Sequence, residues 1–113
     1  MQVAQSAMLT PDLKDECARF GLLLARLRLA RKIKQTDAAI RSGLSRNTVY
    51  RLEKGDPGIA IGQILRYLEA ISPGSTLLDL LSESDPSLAR LAAREKTQRV
   101  RDLTAAELRE LDF

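Results

Sequence analysis

Histidine and tryptophan are missing from this chain, cysteine occurs once, and only Phe20, Tyr50, Tyr67 and Phe113 are aromatic. With no histidine and a lone cysteine, the common zinc sites, imidazole acid–base catalysis and an intrachain disulfide are excluded together. Cys17 reads as a small buried or half-buried side chain rather than a reactive thiol. A core with so few rings has to be built from Leu, Ile, Ala and Val, a palette that favours helices. No apolar run approaches the roughly 18 residues of a membrane span, and the opening MQVAQSAMLT lacks the basic and apolar regions of a secretory signal. The expected location is therefore the cytoplasm. No motif for cradling phosphate, binding metal or pairing a nucleophile with its base is present, so a non-enzyme without cofactor is expected.

The 113 residues leave room for one compact domain with an appendage. The net charge of +3 is unevenly spread. Between Arg19 and Lys54 ten Lys and Arg stand against two acids, Asp37 and Glu53, a net +8 that the rest of the chain offsets with −5. Such a concentration of one sign calls for an anionic partner.

Residues 1–9 carry no period and read as a loose arm. TPDL at 10–13 is a helix start, with Thr10 as N-cap, Pro11 in the first position and Asp12 complementing the dipole. Helical pattern continues to about Lys32 along Leu13, Phe20, Leu24, Leu27 and Arg31, with Gly21 as a candidate break into two helices. Leu22 and Leu29 fall off that face and suit either contact with the N-terminal segment or a subunit interface. Short helices follow at Gln35–Ser42 and, after a corner at Gly43 and Leu44 and a cap at Ser45, from Arg46 to about Lys54. GDPG at 55–58 stops the second. Ile61, Ile64, Leu65, Leu68 and Ile71 mark a fourth helix ended by SPG, and Leu77, Leu78, Leu80 and Leu81 a fifth. DPSL at 85–88 opens a basic stretch, and TAAE at 104–107 matches a capping box ahead of Leu108 and Leu111. The sum is an all-α fold of five core helices. Residues 1–18 form an arm and helix start, 19–82 the domain, and 83–113 a helical or partly disordered extension.

Two short helices joined at a glycine corner form a helix-turn-helix, which demands a small residue where the helices cross and a residue tolerant of positive φ at the corner. Ala39 and Gly43 meet those demands, and Ala38, Leu44, Val49 and Leu52 supply the inward set. Arg46, Asn47, Thr48, Tyr50 and Arg51 are left facing outward, all able to donate hydrogen bonds. Arg46 and Asn47 alone would fit a solvated face; the corner, the small residue and the basic field turn the reading towards DNA. A recognition helix enters the major groove by its N-terminal end, where Arg pairs with guanine and Asn with adenine, so Arg46, Asn47 and Arg51 are the base-reading candidates.

Residues 20–71 resemble the XRE family, the helix-turn-helix type of Cro and phage repressors. The resemblance is carried by FG at 20–21, LRLAR at 27–31, Gln35, Ala39, GLS at 43–45 and VYRLEKG at 49–55. It implies base reading by Arg46, Asn47 and Arg51. Lys34, Gln35, Ser45, Thr48, Tyr50 and Lys54 would make phosphate or secondary contacts, Gln35 serving alternatively as an anchor of the recognition helix. It also implies a structural ion pair between Arg28 and Glu53. Two positions depart from the pattern: Lys34 stands where a Ser or Thr cap is usual, and Leu68 where the fourth helix is usually small. A self-cleaving peptidase domain of the phage-repressor kind needs more chain than follows the fifth helix. A monomeric motif covers too few base pairs, so a homodimer on an inverted-repeat operator is expected, with the fifth helix, Leu88, Leu91 and the tail at its interface.

DPGIAIGQILRYLEAI, the leucine-rich fifth helix and LARLAAREKTQRVR are similar to segments of Hip-type antitoxins. That likeness implies an autoregulating antitoxin of a type II toxin–antitoxin pair that neutralises a kinase-like toxin. The alternative is a stand-alone XRE-type regulator or small phage repressor with no toxin.

Overall fold

The computed structural model describes the backbone of residues 5–111 and the side chains of residues 5–102. It is all-helical over that range, with no strand among the described residues: α1 (Gln5–Met8), α2 (Pro11–Ala30), α3 (Gln35–Ser42), α4 (Arg46–Glu53), α5 (Ile61–Ile71), α6 (Leu77–Leu81) and α7 (Pro86–Leu111). One helical turn, α1, lies within the stretch expected to be a loose arm.

α2 starts where Thr10 Oγ1 accepts the Leu13 N–H and Pro11 takes the first position. It is one helix, and Gly21 does not break it. Gly21 is buried, and a Cβ there would lie 2.4 Å from the Gly55 nitrogen and 2.8 Å from the Glu53 carbonyl oxygen. Gly55, at φ +77°, reciprocates, since its Cβ would lie 2.2 Å from the Cys17 carbonyl oxygen. Two glycines thus let the end of α4 touch the backbone of α2, a close approach that outweighs the modest helix cost of an interior glycine.

The core is aliphatic: Leu24, Leu27, Ala38, Val49, Leu52, Leu68, Ile71 and Leu80 are buried together with Tyr67. Leu68 sits in this core at 1% exposure, so the larger side chain is absorbed by packing. Leu88, at 9% exposure, belongs to the same cluster and Leu91 packs against it. Leu88 is therefore spent inside the chain rather than at the dimer interface expected of it, and Leu91 is half-buried beside it. Arg26 forms a two-bond pair with Glu95, and Arg31 pairs with Asp85, so the first three turns of α7 are fastened to α2. α7 also runs unbroken through Thr104, so TAAE starts no new helix. Its alanines favour continuation over capping; the side chains of Thr104, Glu107, Leu108 and Leu111 lie outside those described. Leu22 and Leu29 are half-exposed on α2.

Candidate nucleic-acid interface

α3 ends because Gly43 adopts a left-handed conformation, φ 68° and ψ 23°, which turns the chain towards α4. The corner is clamped from α5: Arg66 donates from Nε to the Ser42 carbonyl at 3.1 Å and from Nη2 to the Gly43 carbonyl at 2.9 Å. α4 then begins at Ser45, whose Oγ accepts the Thr48 N–H at 3.0 Å and donates to Thr48 Oγ1 at 2.8 Å. The Ser45 and Thr48 hydroxyls are thus tied to each other in the cap, and the Thr48 proton is left to point elsewhere. Lys34 holds the N-cap position of α3 without a side-chain cap bond and is exposed.

Val49 and Leu52 pin α4 to the core at 0% and 3% exposure. At 100° per residue Arg46, Asn47, Tyr50, Arg51 and Lys54 then fall within an arc of about 140° on the opposite side. All five are exposed. Arg46 and Asn47 have no hydrogen-bond or ion-pair partner among the described residues, which leaves their donors and the Asn47 carbonyl available. Lys54 Nζ lies 5.5 Å from the centre of the Tyr50 ring, a cation–π contact at the C-terminal end of the helix. Arg51 is already engaged, its Nε donating to Asp56 Oδ2 at 2.8 Å.

The rear of α4 is fixed by a polar hub around Glu53. Its carboxylate accepts Arg28 Nε at 2.6 Å and Nη2 at 3.0 Å, Gln35 Nε2 at 2.9 Å, and a short bond from the Tyr67 hydroxyl. Arg28 also donates from Nη1 to the Ile33 carbonyl at 2.8 Å, so one guanidinium links α2, the α2–α3 loop and α4. The amide nitrogen of Gln35 faces Glu53 rather than solvent, so its side chain ties the start of α3 to the end of α4. Burial pushes the Glu53 carboxyl up, and its three donors outweigh that and hold it below the ordinary glutamate range. Burial and the neighbouring carboxylate both raise the Tyr67 hydroxyl, keeping it a donor.

Folding also narrows the basic field read from the sequence. Four of its ten cations, Arg26, Arg28, Arg31 and Arg51, are paired with Glu95, Glu53, Asp85 and Asp56. The other six, Arg19, Lys32, Lys34, Arg41, Arg46 and Lys54, are exposed with no ion pair among the described residues. Asp85 and Glu95 lie 54 and 69 residues from their partners, beyond the reach of local pattern. Tyr67 and Arg66 escaped the sequence reading for a related reason: both sit on an amphipathic helix whose spacing announces burial but not which carboxylate or carbonyl it meets.

These pairs have a pH consequence. Burial raises the Asp85 carboxyl while Arg31 and Ser87 lower it further, to about 2 from 3.8. Glu53 is likewise depressed, so the stabilisation from both groups is full above their unfolded values and is lost as pH falls through the folded ones. Denaturant midpoints should be level from neutral pH to about 5 and decline from about 4 towards 2. Asp85→Asn should remove part of that decline, by about 1 kcal/mol given the half-open Arg31.

A short helix held rigidly at its back, presenting uncommitted Arg and Asn side chains at its N-terminal end, is the arrangement of a DNA-binding helix-turn-helix. The family model described as "Helix-turn-helix domain" matches residues 19–81, and the chain belongs to that family. It is a DNA-binding regulator. No curated protein and no solved structure matches the chain, and no helix among the described residues is long and apolar enough to cross a membrane.

Proposed function

We propose that the chain is a sequence-specific transcriptional repressor that binds an inverted-repeat operator as a homodimer, with Arg46, Asn47 and Arg51 reading base edges. Lys34, Thr48, Tyr50 and Lys54 contact phosphate or flanking groups, while Ser45 and Gln35 serve through the cap and the hub. The observation that carries this reading is the outward arc of α4, exposed and unpartnered at Arg46 and Asn47 while Val49, Leu52 and Glu53 immobilise its other side. Each half-site then takes one α4 in the major groove, and two-fold symmetry sets the half-sites about one helical turn apart. Sedimentation of the protein with a selected duplex should give two chains per operator. One chain on the full operator would refute the dimeric reading.

The finer reading is an autoregulating antitoxin that also holds a kinase-like toxin. What supports a protein partner is the exposed apolar surface of α5 and α6, where Ile61, Leu65, Leu78 and Leu81 are 69%, 46%, 75% and 58% exposed. A kinase-like reading frame adjoining this gene, and co-purification of its product, support the antitoxin. A regulator that copurifies with nothing from its native host leaves the stand-alone repressor.

A further inference from the structure

Among the outward cations of α4, Arg51 is the one that forms an ion pair among the described residues. α4 is followed, after Lys54 and Gly55, by the turn Asp56-Pro57-Gly58, whose aspartate reaches back to the arginine. Asp56 Oδ2 accepts Arg51 Nε at 2.8 Å, while Asp56 Oδ1 accepts the Gly58 N–H at 2.7 Å, so the carboxylate is fixed at one oxygen and holds the arginine with the other. A Cβ on Gly58 would lie 3.7 Å from Arg51 Nη2, which places that end of the guanidinium over the turn. The hydrogen bond to Arg51, then that to the Gly58 N–H, keep the Asp56 carboxyl below its ordinary range, so it is an anion at neutral pH.

A guanidinium held at Nε keeps its four Nη protons, and the edge formed by its two terminal nitrogens can still give two parallel bonds to guanine O6 and N7. Holding the side chain also lowers the rotamer entropy that a long, exposed arginine loses on docking. We propose that Asp56 is a specificity-determining positioning residue: it aims Arg51 at one base position and, as a fixed negative charge at the end of the recognition helix, weakens binding to DNA that offers Arg51 no guanine. This inference rests on the reading that Arg51 faces a base.

The bond of the carboxylate to Arg51 can be separated from its bond to the Gly58 N–H. Asp56→Asn keeps one carbonyl oxygen for the Gly58 N–H but puts an amide donor where the Arg51-binding oxygen was. Asp56→Ser can keep the Gly58 bond through its hydroxyl and is too short to hold Arg51. Both variants retain the turn, lose the hold and remove the charge.

The test selects duplexes from a randomised library with the full-length wild type, Arg51→Ala, Asp56→Asn and Asp56→Ser, and measures affinity for the selected and for a scrambled duplex. Arg51→Ala should erase the preference at one base position per half-site. Both Asp56 variants should relax that same position by about two- to fivefold per half-site, the range of an exposed ion pair. They should bind the scrambled duplex more tightly than wild type and unfold at an unchanged denaturant midpoint. If Arg51→Ala relaxes a position that both Asp56 variants leave intact, the positioning role is overturned while base reading by Arg51 stands. If Arg51→Ala changes no position, the reading beneath it fails as well. A uniform loss at all positions with a lowered midpoint would assign Asp56 to the turn alone and also overturn the proposal.

Discussion

Replacing Glu53 by alanine should lower the unfolding free energy by about 3–5 kcal/mol, the cost of leaving one member of a buried charge pair without its partner. Arg28 is 9% exposed and loses two of its three bonds, and the hydroxyl of fully buried Tyr67 and the Gln35 amide lose an acceptor in the same stroke. For a domain whose total stability is about 5–15 kcal/mol this is a large fraction, equivalent to a fall in Tm of roughly 10–20 °C. The comparison is Arg26→Ala, which breaks the pair with Glu95, whose side chains are 30% and 43% exposed, and should cost no more than about 1 kcal/mol. Paired denaturant titrations check this. Equal losses in the two variants would mean that the hub does not hold α4.

The second large effect concerns DNA itself. Arg46→Ala should weaken binding to the selected operator by about 1–3 kcal/mol per half-site, hence about 2–6 kcal/mol for a symmetric dimer, roughly 30-fold to twenty-thousandfold. Val49 and Leu52 carry the burial of α4 and Arg46 is exposed, so the variant should unfold at the wild-type denaturant midpoint. Lys54→Ala should behave differently, weakening selected and scrambled duplexes alike and lowering the slope of log affinity against log salt by about one per half-site. Fluorescence anisotropy across a salt series separates the two classes of contact.

The helix-turn-helix was legible because its demands are local. A positive-φ residue at the corner, a hydroxyl one position before the helix and apolar residues three apart can be read from Gly43, Ser45, Val49 and Leu52 without knowing any distant neighbour. Gly21 was misread for the converse reason. Within a window of α2 an interior glycine looks like a break, and only the arrival of Gly55 against Cys17 shows that the missing Cβ is what lets two segments touch. TAAE satisfies a local capping rule, yet it follows a long helix whose propagation costs less than stopping and nucleating again. The net charge of the central segment counted Arg26, Arg31 and Arg51 as free; the acids that pair with them lie outside that segment and meet them only on folding. Of the polar hub, the Arg28–Glu53 pair followed from family resemblance, whereas the part of Tyr67 depends on the approach of α5 to the end of α4, which no periodicity encodes.

The central claim is that the outward arc of α4 reads base sequence, and selection from a randomised duplex library with wild-type protein and Arg46→Ala tests it most directly. The account predicts an inverted repeat for the wild type, and for the variant the same repeat with preference lost at one position in each half and kept at the others. An undiminished motif from Arg46→Ala, or no motif from the wild type, would contradict it.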